Sequence, residues 1–170
     1  NGAAVELLDT YGPERREHVC EIIRQAVEIG RMICMLDPAD VSVRDATMKA
    51  AMKDPSLGTK PPPEPRLGYA GLYQITDENA GYLAVQGHVR HNAHEGLFDD
   101  VIGSGWQLLI RSDCKTTVLG EASLQFVEKF GVAVVNFGPG GDTEDLDGVY
   151  NAWFDRIGTE AVLVRPDFYV

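Results

Sequence analysis

The sequence is short of cysteines, basic residues and long apolar runs, and each shortage excludes something. Its three cysteines are Cys20, Cys34 and Cys114. Odd in number and far apart, they lack the dense, even framework of a small disulfide-stapled secreted domain, so a reducing, cytoplasmic location is expected. No stretch approaches the roughly 20 apolar residues needed to span a bilayer. Asn1-Gly2-Ala3-Ala4-Val5-Glu6 carries neither the basic nor the apolar region of a signal peptide. Lysine and arginine total 15 against 26 acidic residues, a net charge of −11. So acidic a surface repels phosphate backbones and anionic headgroups, so neither nucleic acid nor membrane is an expected partner. Arg15 and Arg16 are flanked by Glu14 and Glu17 and read as a solvated helix face.

The rest of the composition is ordinary. At 170 residues, with 44% hydrophobic and 24% charged, the chain fits one domain with or without an appendage. It is long enough to bury roughly 70% of its unfolded surface.

Residues 3–11 read as the tail of a helix without a cap, as if a longer pattern had been cut. Gly12-Pro13 then breaks it, with Pro13 suited to the first turn of the next helix. From Glu14, apolar positions Val19, Ile22, Ile23, Ala26, Val27, Gly30, Ile33 and Cys34 recur at three- and four-residue spacing, which predicts a long helix. Asp37 and Pro38 predict the cap and first position of a second helix running to about Lys53, with Val41, Met48, Ala51 and Met52 as its apolar side. Residues 55–66 hold five prolines in twelve positions and predict an extended, polyproline-like linker. The expected organisation is therefore a helical segment over 1–54, a linker over 55–66 and a domain over 67–170.

That domain is expected to be α/β. After an irregular region with short extended pieces to Gly105, the pattern predicts a strand over 106–111 and a helix over 118–130. A continuously apolar strand over 132–137 follows, of the kind buried on both sheet faces. A helix capped by Asp145 or Asp147 ends at Gly158. A strand over 161–165 then turns at Pro166-Asp167 into a final antiparallel strand over 168–170. The order β-α-β-α-β-β is that of a thioredoxin-like core.

Several residues invite a chemical role, and each has a plainer reading. His88, His91 and His94 resemble a metal box, but three- and six-residue spacing spreads them around a helix, and on a strand His91 points away from the other two. The segment reads as a loop with ordinary surface histidines, and no metal ligand is assigned. Gly138-Pro139-Gly140-Gly141 lies between a strand and a helix like a phosphate cradle. However, Asp142, Glu144, Asp145 and Asp147 follow and would repel a phosphate. Helix capping is the better account of those carboxylates. Cys114 falls where a thioredoxin-like fold keeps its reactive thiols, yet Asp113-Cys114-Lys115-Thr116-Thr117 supplies no resolving partner. Cys20 and Cys34 read as core or interface thiols. No catalytic, cofactor-binding or metal-binding residue is assigned.

Several segments together resemble one family. Leu7-Leu8-Asp9-Thr10-Tyr11-Gly12-Pro13-Glu14-Arg15-Arg16 is similar to the Leu-Leu-x-x-Tyr-x-x-Glu-Arg-Arg stretch that closes the flavin domain of FAD-dependent aromatic hydroxylases. Leu97-Phe98-Asp99-Asp100 with Gly103, Gly105, Trp106, Leu108 and Leu109 resembles the start of their C-terminal thioredoxin-like domain. Residues 161–170, Ala-Val-Leu-Val-Arg-Pro-Asp-Phe-Tyr-Val, resemble its end. The long helix with Gly30-Arg31 and Asp37-Pro38 is most similar to the 3-(3-hydroxyphenyl)propionate hydroxylase branch. The resemblance implies a parent enzyme that uses FAD and NAD(P)H to oxygenate phenolic rings. It places this chain as a non-catalytic C-terminal part, with no cofactor of its own. Its expected partners are the N-terminal flavin domain of the same polypeptide and further copies of itself, in a homo-oligomer. The alternative is an independent thioredoxin-like binding or redox module.

Overall fold

The computed structural model describes residues 5–58, 62–68, 77–111 and 120–170. Cys114 lies outside the described residues. The chain forms two compact units, Asn1–Gln74 and Ile75–Val170.

In the first unit, a 3-10 helix over Val5–Thr10 runs directly into helix α1, Tyr11–Ile33. Gly12-Pro13 therefore does not break the chain. It falls in the first turn of α1, where a missing proline N–H costs no helical hydrogen bond. Helix α2 spans Pro38–Lys53, and the Asp37 side chain accepts from the backbone N–H of Ala39 at 2.8 Å and Asp40 at 3.4 Å. Of the expected apolar side of α2, Val41 and Ala51 are partly buried, whereas Met48 and Met52 are exposed. Residues 55–57, expected to be extended, instead form a 3-10 turn, because the Asp54 carboxylate accepts from Ser56 N at 3.0 Å and caps it.

Further on, the proline-rich segment lies along α1. Gln25 Nε2 donates to Pro63 O at 3.2 Å, and Gly68 N donates to Glu14 O at 2.7 Å. Eleven helical residues rise about 16 Å, and five polyproline-type residues span about the same. The segment therefore runs extended and antiparallel to the helix. Leu67 and Glu14 are buried at this contact, and a Cβ on Gly68 would sit 2.4 Å from Pro13 O. Only glycine lets the two backbones come that close.

The second unit holds two three-stranded sheets. One has the order β2-β1-β5, with β1 His88–His91, β2 His94–Leu97 and β5 Thr143–Asp145, all antiparallel. The other has the order β4-β3-β6, with β3 Gln107–Ile110 parallel to β4 Ala133–Asn136 and antiparallel to β6 Ala161–Val164. Helix α3 is Phe98–Ile102, α4 is Glu121–Phe130 and α5 is Val149–Ile157. All four residues of β3 are buried, because the strand is central and covered on both faces. Leu109, with its neighbours Val135 and Val162, faces a core of Val89, Phe98, Phe137, Tyr150, Trp153 and Phe154. Leu108 and Ile110 face the other way, onto Val132, Phe126 and Val127. The amphipathic α4 thus closes one face and α5 the other.

Four expectations are corrected here. The region to Gly105 has the expected short extended pieces, but two of them pair as the β1–β2 hairpin and helix α3 follows. The glycine-rich turn at 138–141 leads into strand β5, not a helix. The residue preceding α5 is Gly148, in the left-handed conformation with φ 70°, so neither Asp145 nor Asp147 occupies the cap position. Asp145 still serves that helix from β5: its Oδ2 accepts from Asn151 N at 2.9 Å. The chain end does not continue the sheet as a paired strand. Phe168 takes φ 66°, and the tail turns to bond with residues 81–84 through Gly81 N to Val170 O, Val170 N to Tyr82 O and Ala84 N to Phe168 O. Among the described residues, no helix is long and apolar enough to cross a membrane.

Candidate functional site

The histidines and carboxylates singled out in the sequence gather on the β2-β1-β5 sheet, where they serve one another. His88 and Arg90 share one face of β1, while Val89, fully buried, anchors the other. Asp147 Oδ2 accepts from the backbone N–H of His88 at 3.0 Å and lies 2.9 Å from its Nδ1. The N–H bond first, then the ring, hold the Asp147 carboxyl below the usual carboxylate range. Arg90 stands directly opposite Glu95 on one neighbouring strand and Glu144 on the other, and it pairs with both. All three are exposed, so this triplet fixes register more than it adds stability.

His91 stands opposite His94 and Thr143, so His94 shares its face and His88 does not. The expectation that His91 points away from both others assumed one continuous strand; the hairpin folds His94 back beside it. The protons of this cluster can be followed. Thr143 Oγ1 donates to Asp142 Oδ1 at 2.9 Å, which uses its one hydroxyl hydrogen. It must then accept from His91 Nδ1 at 2.7 Å. His91 Nε2 in turn accepts from Asn92 Nδ2 at 2.8 Å. The neutral Nδ1–H form of the imidazole satisfies every contact, and His91 acts as a strut for the hairpin tip. Among the described residues, no group of three or more His, Cys, Asp or Glu side chains is placed to hold a metal ion.

The glycine-rich turn does not fit a flavin pyrophosphate. Phosphate cradles aim successive N–H groups from a helix N-terminus. Here Gly141 N bonds Gly138 O, and a Cβ on Gly141 would lie 2.2 Å from Asn136 O. The turn folds tightly on itself, and the Asp142 carboxylate takes the Asn136 N–H at 2.9 Å. The α5 N-terminus is likewise served by Asp145. At the far end of β3, Arg111 is bound by Glu160 at 2.8 Å, by Asp155 and by Asn151 O, and it lies 5.5 Å over the Phe154 ring. Tyr150 is fully buried, and burial drives its hydroxyl well above the usual phenol range, with Asp99 and Asp145 adding to the effect.

The exposed surface of α1 includes an apolar stripe. The strapped side of α1 carries Glu14, Glu21, Gln25 and Glu28. The stripe at Val19, Ile22, Ile23, Ala26, Gly30 and Ile33 lies on the other side, with Ile23 56% and Ile33 64% exposed. Amphipathic helices normally do the reverse, covering the apolar side first. Cys20 and Cys34, expected in a core or interface, are exposed free thiols in this unit.

The HcaD C-terminal domain family matches residues 81–170, more than half of the chain, and the chain belongs to that family. A protein of Rhodococcus jostii (strain RHA1) named "Probable NADH-specific resorcinol 4-hydroxylase" is 35% identical over 96% of this chain and 31% of its own length. A 3-(3-hydroxy-phenyl)propionate/3-hydroxycinnamic acid hydroxylase of Mycolicibacterium gilvum (strain PYR-GCK) is 33% identical over 97% of this chain and 33% of its own. The chain therefore spans about a third of the length of these curated relatives. Among solved structures, aklavinone-11 hydroxylase, in a ternary complex with FAD and aklavinone, matches 99% of this chain and 31% of its own, with TM-score 0.56 and 24% identity. The anhydrotetracycline hydroxylase OxyS of Streptomyces rimosus matches with TM-score 0.54 and 21% identity. These two likenesses concern fold: a mixed helix-and-sheet arrangement similar to part of those hydroxylases.

Proposed function

We propose that this chain is the non-catalytic C-terminal part of an FAD- and NAD(P)H-dependent hydroxylase of phenolic aromatics, of the kind that acts on 3-(3-hydroxyphenyl)propionate. The observation that carries the proposal is the uncovered apolar stripe of α1, on a chain of this family that spans a third of its relatives. Residues 1–54 then close the flavin domain and lead away from it, 55–66 are the connector, and 67–170 are the C-terminal domain. The stripe packs on the flavin domain of the same polypeptide, and further contacts join subunits of a cytoplasmic homo-oligomer. Burying a side chain such as Ile23 or Ile33 there is worth roughly 1.5–3 kcal/mol, enough to set how the domains hold together.

The reading of residues 67–170 as a thioredoxin-like core is supported by a central β3 with a parallel neighbour joined through a helix and an antiparallel neighbour on its other side. In this role the chain supplies packing, and FAD and NAD(P)H bind elsewhere in the parent. Titrating FAD into the isolated chain tests the first part: its fluorescence should show no saturable change, and micromolar binding would refute it. The longer gene product tests the second. It should purify with bound flavin and oxidise NAD(P)H in the presence of phenols, and Ile23→Asp should weaken flavin retention. A colourless, inactive full-length protein would overturn the assignment in favour of an independent binding module.

A further inference from the structure

The tip of the β1–β2 hairpin holds a pair of imidazoles that the proposed role does not use. His91 and His94 stand directly opposite each other and close the two-residue loop Asn92-Ala93. Directly opposed residues on one sheet face have Cβ atoms about 4.5–5.5 Å apart. A metal ion takes imidazole nitrogens at about 2.0–2.1 Å, so one ion can bridge two rings at that spacing. His88 lies on the other face of β1, held by Asp147, and takes no part.

Two features distinguish this pair from ordinary surface histidines. The first is that His91 is already oriented as a ligand would be. Its Nδ1–H donates to Thr143 Oγ1 at 2.7 Å, and that hydroxyl donates to Asp142 Oδ1 at 2.9 Å. Thr143 is only 4% exposed, so the relay is anchored in the sheet. A ring N–H bound back toward a carboxylate fixes the tautomer, aims the other nitrogen and raises its basicity, which is how metal-binding histidines are supported. The aimed atom is Nε2, and it accepts from the side-chain amide of Asn92 at 2.8 Å. Asn92 is an exposed loop residue, so its amide can turn to water and give up the position. The second feature is His94, which is exposed and makes no side-chain hydrogen bond among the described residues.

We propose that His91 Nε2 and the His94 ring form a two-imidazole site for a divalent transition-metal ion of the nickel, copper or zinc class. Imidazole suits these metals, whereas magnesium and calcium call for oxygen ligands. Two protein ligands leave the other coordination positions to water, so no third side chain is required. The net charge of −11 favours the approach of a cation. An ion bridging the loop binds only the paired hairpin and therefore stabilises it.

Titration of the 170-residue chain with Ni²⁺, followed by paramagnetic broadening of its amide signals, tests the site. Saturable broadening centred on residues 91–94 and 142–143 is expected. His94→Ala, at an exposed position, should weaken Ni²⁺ binding about tenfold or more, because the second imidazole acts as an intramolecular ligand. His91→Ala should do the same, and His88→Ala should leave the affinity unchanged. If His91→Ala unravels the tip, the His94 and His88 variants decide the matter. Broadening centred elsewhere, an unchanged affinity in His94→Ala, or an equal loss in His88→Ala would each overturn the proposal.

Discussion

Ala93→Gly at the tip of the β1–β2 hairpin should make the protein more stable. His91 and His94 pair directly, so Asn92 and Ala93 form a two-residue loop, and both have positive φ, 46° and 71°. Such loops follow the twist of the flanking strands only when both central residues are left-handed, which is why Asn-Gly is the favoured pair. Asparagine tolerates this conformation, whereas alanine pays for its Cβ about 1–2 kcal/mol. Glycine removes that cost but gains unfolded-chain entropy worth about 0.4–1 kcal/mol. The balance is a net stabilisation of roughly 0.5–1 kcal/mol, or a Tm increase of about 1–4 °C for a chain this size. Urea denaturation followed by circular dichroism should show a higher midpoint at unchanged slope. An unchanged or lowered midpoint would mean that the tip is not left-handed at Ala93, and with it the pairing of Arg90 with Glu95 and of His91 with His94 would fall.

Leu109→Ala should cost about 2–5 kcal/mol, because Leu109 is 1% exposed at the centre of the main core; a urea midpoint within error of the parent would refute that placement. Gly141→Ala should cost about 1–3 kcal/mol, since its Cβ would meet the backbone oxygens of Asn136 and Gly138 and the turn must shift to admit it. Asp147, whose folded pKa is lowered by the His88 N–H and ring, contributes stability that is present above the ordinary carboxylate value and lost as pH falls through its folded value. Asp147→Asn should therefore flatten the fall in Tm below about pH 4, and a parallel displacement of the whole curve would count against it. Cys20 and Cys34 should both react at once with a thiol reagent in the native chain, and protection of either would show that α1 is already covered.

Local signals carried much of the reading. Asp37-Pro38 specified the start of α2, Gly158 the end of α5, and the apolar run at 132–137 a strand, although β4 lies at the sheet edge with only Val135 of its four residues buried; caps, turns and periodicities act over a few residues. The hairpin at 88–97 was not legible: its outward face is histidine, arginine and glutamate, so no apolar alternation marks it beyond Val89. The spacing of Arg90 and Glu95 offered one weak clue once a turn at Asn92-Ala93 was granted. Nothing local could assign Asp142, Glu144 and Asp147, read as helix caps, to partners across the sheet on β1, or turn the chain end toward residues 81–84. Nor could the pattern of α1 reveal that its polar side is strapped by the proline-rich segment while its apolar side stays open. By itself the sequence determined the long helices, the three strands of the β4-β3-β6 sheet, the acidic surface and the resemblance to the hydroxylases. Only the tertiary structure decided which charges meet and which helix face remains uncovered, because these depend on contacts between residues tens of positions apart, whose pairing no short-range propensity records.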